Sequence, residues 1–139
     1  MSSGVIVGYD GSESAKAALR TAIEVGRAYG DKVTIAFGYE LSPVGGELHD
    51  YHLALNELGE KRLEEAKAVA AEAGGEVEAI VVALDPAEAL VHVAAERDAR
   101  VIVVGTRGES PFRGALLGST PHKLLHISDR PVLVVPSPA

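Results

Sequence analysis

Two hydrophobic periods take turns along this chain. Short β-branched runs separate longer stretches in which apolar residues return at helical spacing. Val5 to Tyr9 reads as the first strand. Asp10 or Ser12 caps the helix that follows, and Asp10-x-x-Glu13 has capping-box form. Ala15, Ala18, Leu19, Ala22 and Ile23 form that helix's apolar face, and Gly30 suits its stop. Val33 to Tyr39 is the second strand. From about Leu41 to Asp50, Pro43 and Gly45-Gly46 break any period and predict a loop. A long helix runs from about Tyr51 to Ala73, with Leu55, Leu58, Ala66, Val69 and Ala73 on its inner stripe and Gly74-Gly75 ending it. Val77 to Ala83 is the third strand. Asp85-Pro86 opens a helix reaching about Arg97. Val101 to Val104 is the fourth strand, Pro121 to Ile127 the last helix and Val132 to Val135 the fifth strand.

Strands alternating with helices predict an α/β fold, a three-layer sandwich whose five-stranded parallel sheet carries helices on both faces. No repeat, low-complexity tract or linker interrupts the alternation. The 139 residues, 47% of them apolar, predict one domain over residues 1–139 with a proper core. A net charge of −7 disfavours nucleic acid and anionic membranes as partners. It leaves room for a phosphate ligand, whose charge backbone dipoles and a metal ion can offset locally. The absence of cysteine excludes disulfides, thiol catalysis and cysteine-based zinc sites. No apolar stretch approaches membrane-span length, and Met-Ser-Ser-Gly leads into a strand without a signal-like run. The expectation is a soluble cytoplasmic protein.

Candidate chemistry gathers after the fourth strand, which runs into Gly105-Thr106-Arg107-Gly108, with Gly118-Ser119 following. Open α/β sheets bind ligands just beyond the carboxyl ends of their strands. Glycine there lets backbone N–H groups approach a phosphate without a Cβ in the way. Thr120 reads as a helix N-cap with Pro121 at the first helical position, aiming amides and a partial positive charge at an anion. The pattern predicts a phosphate cradle in two parts; the competing reading is a glycine-rich connection with no ligand. Several motifs are missing. No glycine precedes a lysine, so there is no Walker loop, and no Gly-x-Gly supplies a dinucleotide fingerprint. Gly108-Glu109-Ser110-Pro111-Phe112 lacks the second glycine of a nucleophile elbow. His122 and His126 lie four apart, and His49 and His52 flank a loop–helix junction. With no third ligand in view, both pairs read as surface or helix-end residues.

Gly105-x2-Gly108-x9-Gly118-Ser119 resembles the nucleotide-binding signature of the universal stress protein family, in its ATP-binding branch. The resemblance covers essentially the whole chain. Val5-Ile6-Val7-Gly8-Tyr9-Asp10-Gly11-Ser12-Glu13 is similar to the family's first strand and turn, and Asp85-Pro86-Ala87-Glu88-Ala89 to the start of its third helix. Phe112-Arg113-Gly114-Ala115-Leu116-Leu117-Gly118-Ser119 is similar to the second half of the signature, and Pro131-Val132-Leu133-Val134-Val135-Pro136 to the last strand.

The resemblance implies strand order 3-2-1-4-5, a Rossmann-like, adenine nucleotide alpha hydrolase-like sheet. Its switch point would lie between the strands that end in Asp10 and Gly105. It implies ATP as ligand, with Mg²⁺ bridging the phosphates, and contacts from Tyr9, Asp10, Gly38, Gly105, Thr106, Arg107, Gly108, Gly118, Ser119 and Thr120. Other readings stand beside these. Asp10 also serves as a helix cap, Gly38 as a plain strand end, and Arg107 as an ion-pair partner of Asp98 or Glu109. Ser119 favours phosphate contact and Thr120 the cap. Thr106 stands where the family more often has Ser or Met. Pro121 is less usual at its position and removes one helix N–H. Arg113 lies between the two glycine clusters.

In the family's strand order Val132-Leu133-Val134-Val135 forms an uncharged edge, similar to the one the family's dimers use. A homodimer through it is expected unless the Ser137-Pro138-Ala139 tail or a helix covers it. The implied function is a nucleotide-dependent regulatory or stress-response module acting on an unidentified protein partner. The first competitor is a slow ATPase or nucleotide-activating enzyme on the same fold. Adenylylating relatives carry Ser-Gly-Gly-x-Asp-Ser after strand one, and Gly8-Tyr9-Asp10-Gly11-Ser12 lacks the doubled glycine; no positioned general base stands out either. The second competitor is a nucleotide-free interaction protein, against which the intact glycine pattern argues.

Overall fold

The computed structural model describes residues 2–39, 48–106 and 117–137, without the side chains of 48–56 and 58. The elements are β1 (Val5–Val7), α1 (Glu13–Tyr29), β2 (Val33–Gly38), α2 (Leu48–Glu72), β3 (Val77–Val82), α3 (Pro86–Glu96), β4 (Val101–Gly105), α4 (Ser119–Ile127) and β5 (Val132–Val135). The strands are all parallel, in the order β3-β2-β1-β4-β5. Parallel sheets need cover on both faces, and strand parity supplies two cores. Val5, Val7, Ile35 and Val103 face α1 and α2, meeting Leu19, Ile23 and Ala66. Ile6, Ala36, Ile102 and Val104 face α3 and α4, meeting Leu90, Val93 and Leu124. The central strands β1 and β4 are almost wholly apolar because neither face sees water.

Local signals start and stop the helices. Ser12 caps α1 by accepting from the Ala15 amide, and Gly30 closes it at φ 70°. Asp10 is not that cap. Its Oδ1 takes the Ser12 amide at 2.9 Å, so the turn after β1 is an Asx turn feeding a serine cap. Asp85 caps α3, accepting from Ala87 and Glu88, with Pro86 opening the helix.

Several boundaries move from expectation. β1 ends at Val7, two residues early, because Gly8 and Tyr9 already begin the turn. α2 starts at Leu48 and β4 runs on to Gly105. α4 begins at Ser119 with Gly118 as N-cap, so Thr120 is not the cap and Pro121 is the third helical residue. The cause is backbone closure. His122 N donates to Gly118 O at 3.1 Å, which winds the first turn ahead of the Thr-Pro pair. Asp98 is engaged by Arg130 Nη1 at 2.9 Å and by Ser2, at the amino end of β4.

Candidate functional site

The switch point of the sheet lies between β1 and β4, whose outward helices α1 and α4 sit on opposite faces. A cleft of about 250 Å³ opens at their carboxyl ends. One wall is the turn after β1, from Gly8 to Asp10, with Ser12 and Ser14 at the start of α1. The second is the end of β2 at Gly38 with Pro86 and Leu90 of α3. The third is Gly105 and the start of α4, from Gly118 to Pro121. Seven positions expected from sequence therefore share one cavity: Tyr9, Asp10, Gly38, Gly105, Gly118, Ser119 and Thr120. Thr106 is not in the lining. Its N–H donates to Val135 O at 3.0 Å and its carbonyl accepts from Gly118 N at 2.7 Å, so its backbone joins β5 to the head of α4. Arg107, Gly108, Arg113 and the side chains of His49 and His52 lie outside the described residues.

The glycines of the cleft are small for reasons that differ. At Gly105 a Cβ would stand 2.5 Å from Ser14 Oγ and 2.6 Å from Ser14 C. Real Cβ atoms do not approach that closely, so the packing of α1 on β4 by itself requires glycine at 105. Gly38 is similar, since a Cβ would sit 2.8 Å from Leu84 O, Pro86 Cα and Ala89 Cβ. Gly118, at φ −62° and ψ 169°, holds a backbone conformation open to any residue.

Donors concentrate on the α4 wall. The first amides of a helix have no intrahelical partner. In α4 these are Ser119 and Thr120, and Pro121 contributes none, so its ring costs no helical bond. Both amides stand at the positive end of the helix dipole. Ser119 is exposed and Thr120 half-buried, while Pro121 is buried. On the β1 side, Asp10 is exposed and adds a carboxylate. Ser12 Oγ and Ser14 Oγ stand 3.4 Å apart, both largely buried. Tyr9 packs into the α1–α2 core, 7% exposed, with a buried hydroxyl that has no hydrogen-bond partner among the described residues. Burial, reinforced by the Glu65 carboxylate, pushes its pKa up.

The α3 and α4 walls are tied to each other. Lys123 Nζ donates to Asp85 Oδ2 at 2.7 Å and to Glu88 Oε1 at 3.2 Å. Burial pushes the Asp85 carboxyl up, but the bonds from Lys123 and the Glu88 amide outweigh it and hold the group below its ordinary value. His122 and His126 meet edge to face, 5.0 Å between ring centres.

Sequence reasoning missed Ser12 and Ser14 as lining, as well as Ala36, Phe37, Pro86 and Leu90. Ser12 carried a signal, an N-cap placed directly after a strand end at the switch point. A wider groove of about 840 Å³ lies at the opposite end of the sheet, among Arg27, Asp31, Lys32 and Glu78. Much of its charge is already used. Arg27 bonds the Ala73 and Gly74 carbonyls just after α2, Asp31 pairs with Arg100, and Glu78 with Arg97.

Fold and cleft together define a doubly wound, Rossmann-like α/β domain with its concavity at the topological switch point. Residues 1–136 match the universal stress protein family profile, and the chain belongs to that family. It is 33% identical over 136 residues to a universal stress protein of Thermus aquaticus, covering 94% of this chain and 96% of that protein. A 77-residue stretch is 43% identical to universal stress protein YxiE of Bacillus subtilis, spanning 55% of this chain and about half, 52%, of that relative. Among solved structures, a universal stress protein in complex with cAMP superposes with a TM-score of 0.77 at 32% identity, covering 98% of each chain. One from Archaeoglobus fulgidus in complex with dAMP gives 0.74 at 25% identity, covering 96% of this chain and 97% of that one.

Proposed function

We propose that this single-domain protein binds ATP in the switch-point cleft and acts as a nucleotide-dependent regulatory module of the stress response. The observation that carries the reading is convergence. Seven residues scattered from position 9 to position 120 line one cavity at the end of the sheet where α/β folds take ligands. Two similar proteins were solved with adenine nucleotides in place. The donor set suits a triphosphate, with the Ser119 and Thr120 amides and hydroxyls at a helix start. Asp10 offers its second carboxylate oxygen to the ribose or to a Mg²⁺ on the phosphates. At about 250 Å³ the described cleft is slightly smaller than ordinary ligand pockets of about 300–1,000 Å³.

The protein pairs with a second copy through β5. Ile102 N bonds Pro131 O and Thr106 N bonds Val135 O, so odd positions of β5 turn towards β4. In a parallel ladder the even positions then face the other way, leaving Val132 and Val134 with N–H and C=O groups on the open edge. Among the described residues no helix is long and apolar enough to cross a membrane. With its net negative charge this favours a cytoplasmic protein without nucleic-acid or membrane partners.

The test is thermal stability with and without Mg-ATP. A ligand specific to the native state at about one hundred times its Kd adds roughly 2.7 kcal/mol. A clear rise in Tm is expected. No rise at millimolar ATP, with no nucleotide released on denaturing the purified protein, would remove the reading.

A further inference from the structure

The walls of the cleft are held unequally. On the α3 side, the absent Cβ of Gly38 leaves Pro86, Leu84 and Ala89 closed against β2, so the start of α3 has no slack. Asp85 caps that helix, and its side chain is only 15% exposed. On the other side α4 has nine residues and buries two of them, Pro121 and Leu124. Two apolar contacts along one line hold a helix down without fixing its rotation about that line. Lys123 stands off the line, one turn after Ser119, and reaches across to Asp85 and Glu88.

We propose that Lys123 is a positioning residue for the phosphate end of the cleft. By bonding Asp85 and Glu88 it fixes the roll of α4 against α3, and so the direction in which the Ser119 and Thr120 amides point. The proposal rests on the ATP reading for its ligand, but the mechanical part stands on the free protein. Lys123 itself is 43% exposed, so solvent screens the pair and its contribution to stability is small. Its effect is expected in orientation, and therefore in affinity for phosphates rather than for the base.

Lys123→Met should weaken ATP about tenfold by calorimetry while adenosine stays within about twofold. The Tm should remain within about 4 °C of the parent. Lys123→Arg should restore most of the ATP affinity. Arg100→Ala breaks the pair with Asp31 at the far end of the sheet and should change neither ligand. Without nucleotide, Lys123→Met should speed amide exchange at Gly118 and His122, whose bonds to Thr106 O and Gly118 O form the head of α4. Equal weakening of ATP and adenosine, or unchanged ATP affinity, would overturn the proposal. If the parent binds neither ligand, the ATP reading falls, and unchanged exchange at Gly118 and His122 would still overturn the role of Lys123.

Discussion

At the scale of single residues, four glycines that look alike in sequence do three kinds of work. Gly105 and Gly38 are small because neighbouring elements occupy the space a Cβ would need. Gly105→Ala should therefore cost about 1–3 kcal/mol through overpacking against Ser14, read as a fall in the urea midpoint. Gly59 lies within α2, with no described residue within 4 Å of its missing Cβ. Gly59→Ala should raise stability by about 0.5–1 kcal/mol, since alanine loses less backbone freedom in a helix. If both variants shift the midpoint in the same direction, the packing account of Gly105 is wrong. Gly118 is the third kind, with backbone angles a valine can adopt. Gly118→Val should keep the far-UV spectrum yet weaken ATP by about a hundredfold. Unaltered binding would mean the phosphates lie elsewhere. The glycine spacing thus pointed to residues that line the cleft, while giving an incomplete reason for Gly105 and Gly38. Ser14, the atom-level cause at Gly105, comes from the other end of the sequence and has no local signature.

At the scale of elements, period was enough to find the strands and helices, because core faces in a two-sided sheet leave long apolar signals. Boundaries were less legible. Thr120-Pro121 has the form of a cap and first helical residue, but the His122 N–H bond to Gly118 O begins α4 earlier. Asp10 has the form of a cap, but Ser12 takes the role and Asp10 supports the turn. Both choices between adjacent residues are settled by which local bond to the first turn actually closes. The fifth strand was legible to the residue, since Pro131 and Pro136 bracket it. Its outward-facing positions make a clean probe. Val134→Pro removes a donor from the open edge and none from the β4 ladder. Light scattering should give twice the 14.4 kDa chain mass for the parent and a shift towards one chain for the variant. A parent that is monomeric at tens of micromolar would refute pairing through β5.

At the scale of the whole molecule, charge pairs and one phenol shape the response to pH. Arg100 beside Asp31, Arg97 with Thr34 beside Glu78, and Arg130 beside Asp98 hold three carboxyls below their ordinary values. Groups depressed in the folded state contribute stability above the unfolded value, near 4, and lose it as pH falls through the folded one. Tyr9 is displaced upward, so its contribution is full below about 10 and disappears as pH rises through its folded value. Urea midpoints should therefore decline at both extremes. Tyr9→Phe should flatten the alkaline side without lowering stability at neutral pH, because the hydroxyl it removes has no partner among the described residues. An alkaline decline unchanged in that variant would assign it to other groups.

Because all five strands run the same way, Ser2 and Ser137 come out at opposite ends of the sheet, and Ser137 is at the end that holds the cleft. Val135, two residues before it, is bonded through Thr106 to Gly118. The chain has no cysteine of its own. A cysteine placed at Ser137 would therefore take a fluorophore at one defined spot beside the head of α4, and one at Ser2 would carry the same dye where the cleft is out of reach. The pair makes a matched reporter and reference for watching the site in solution.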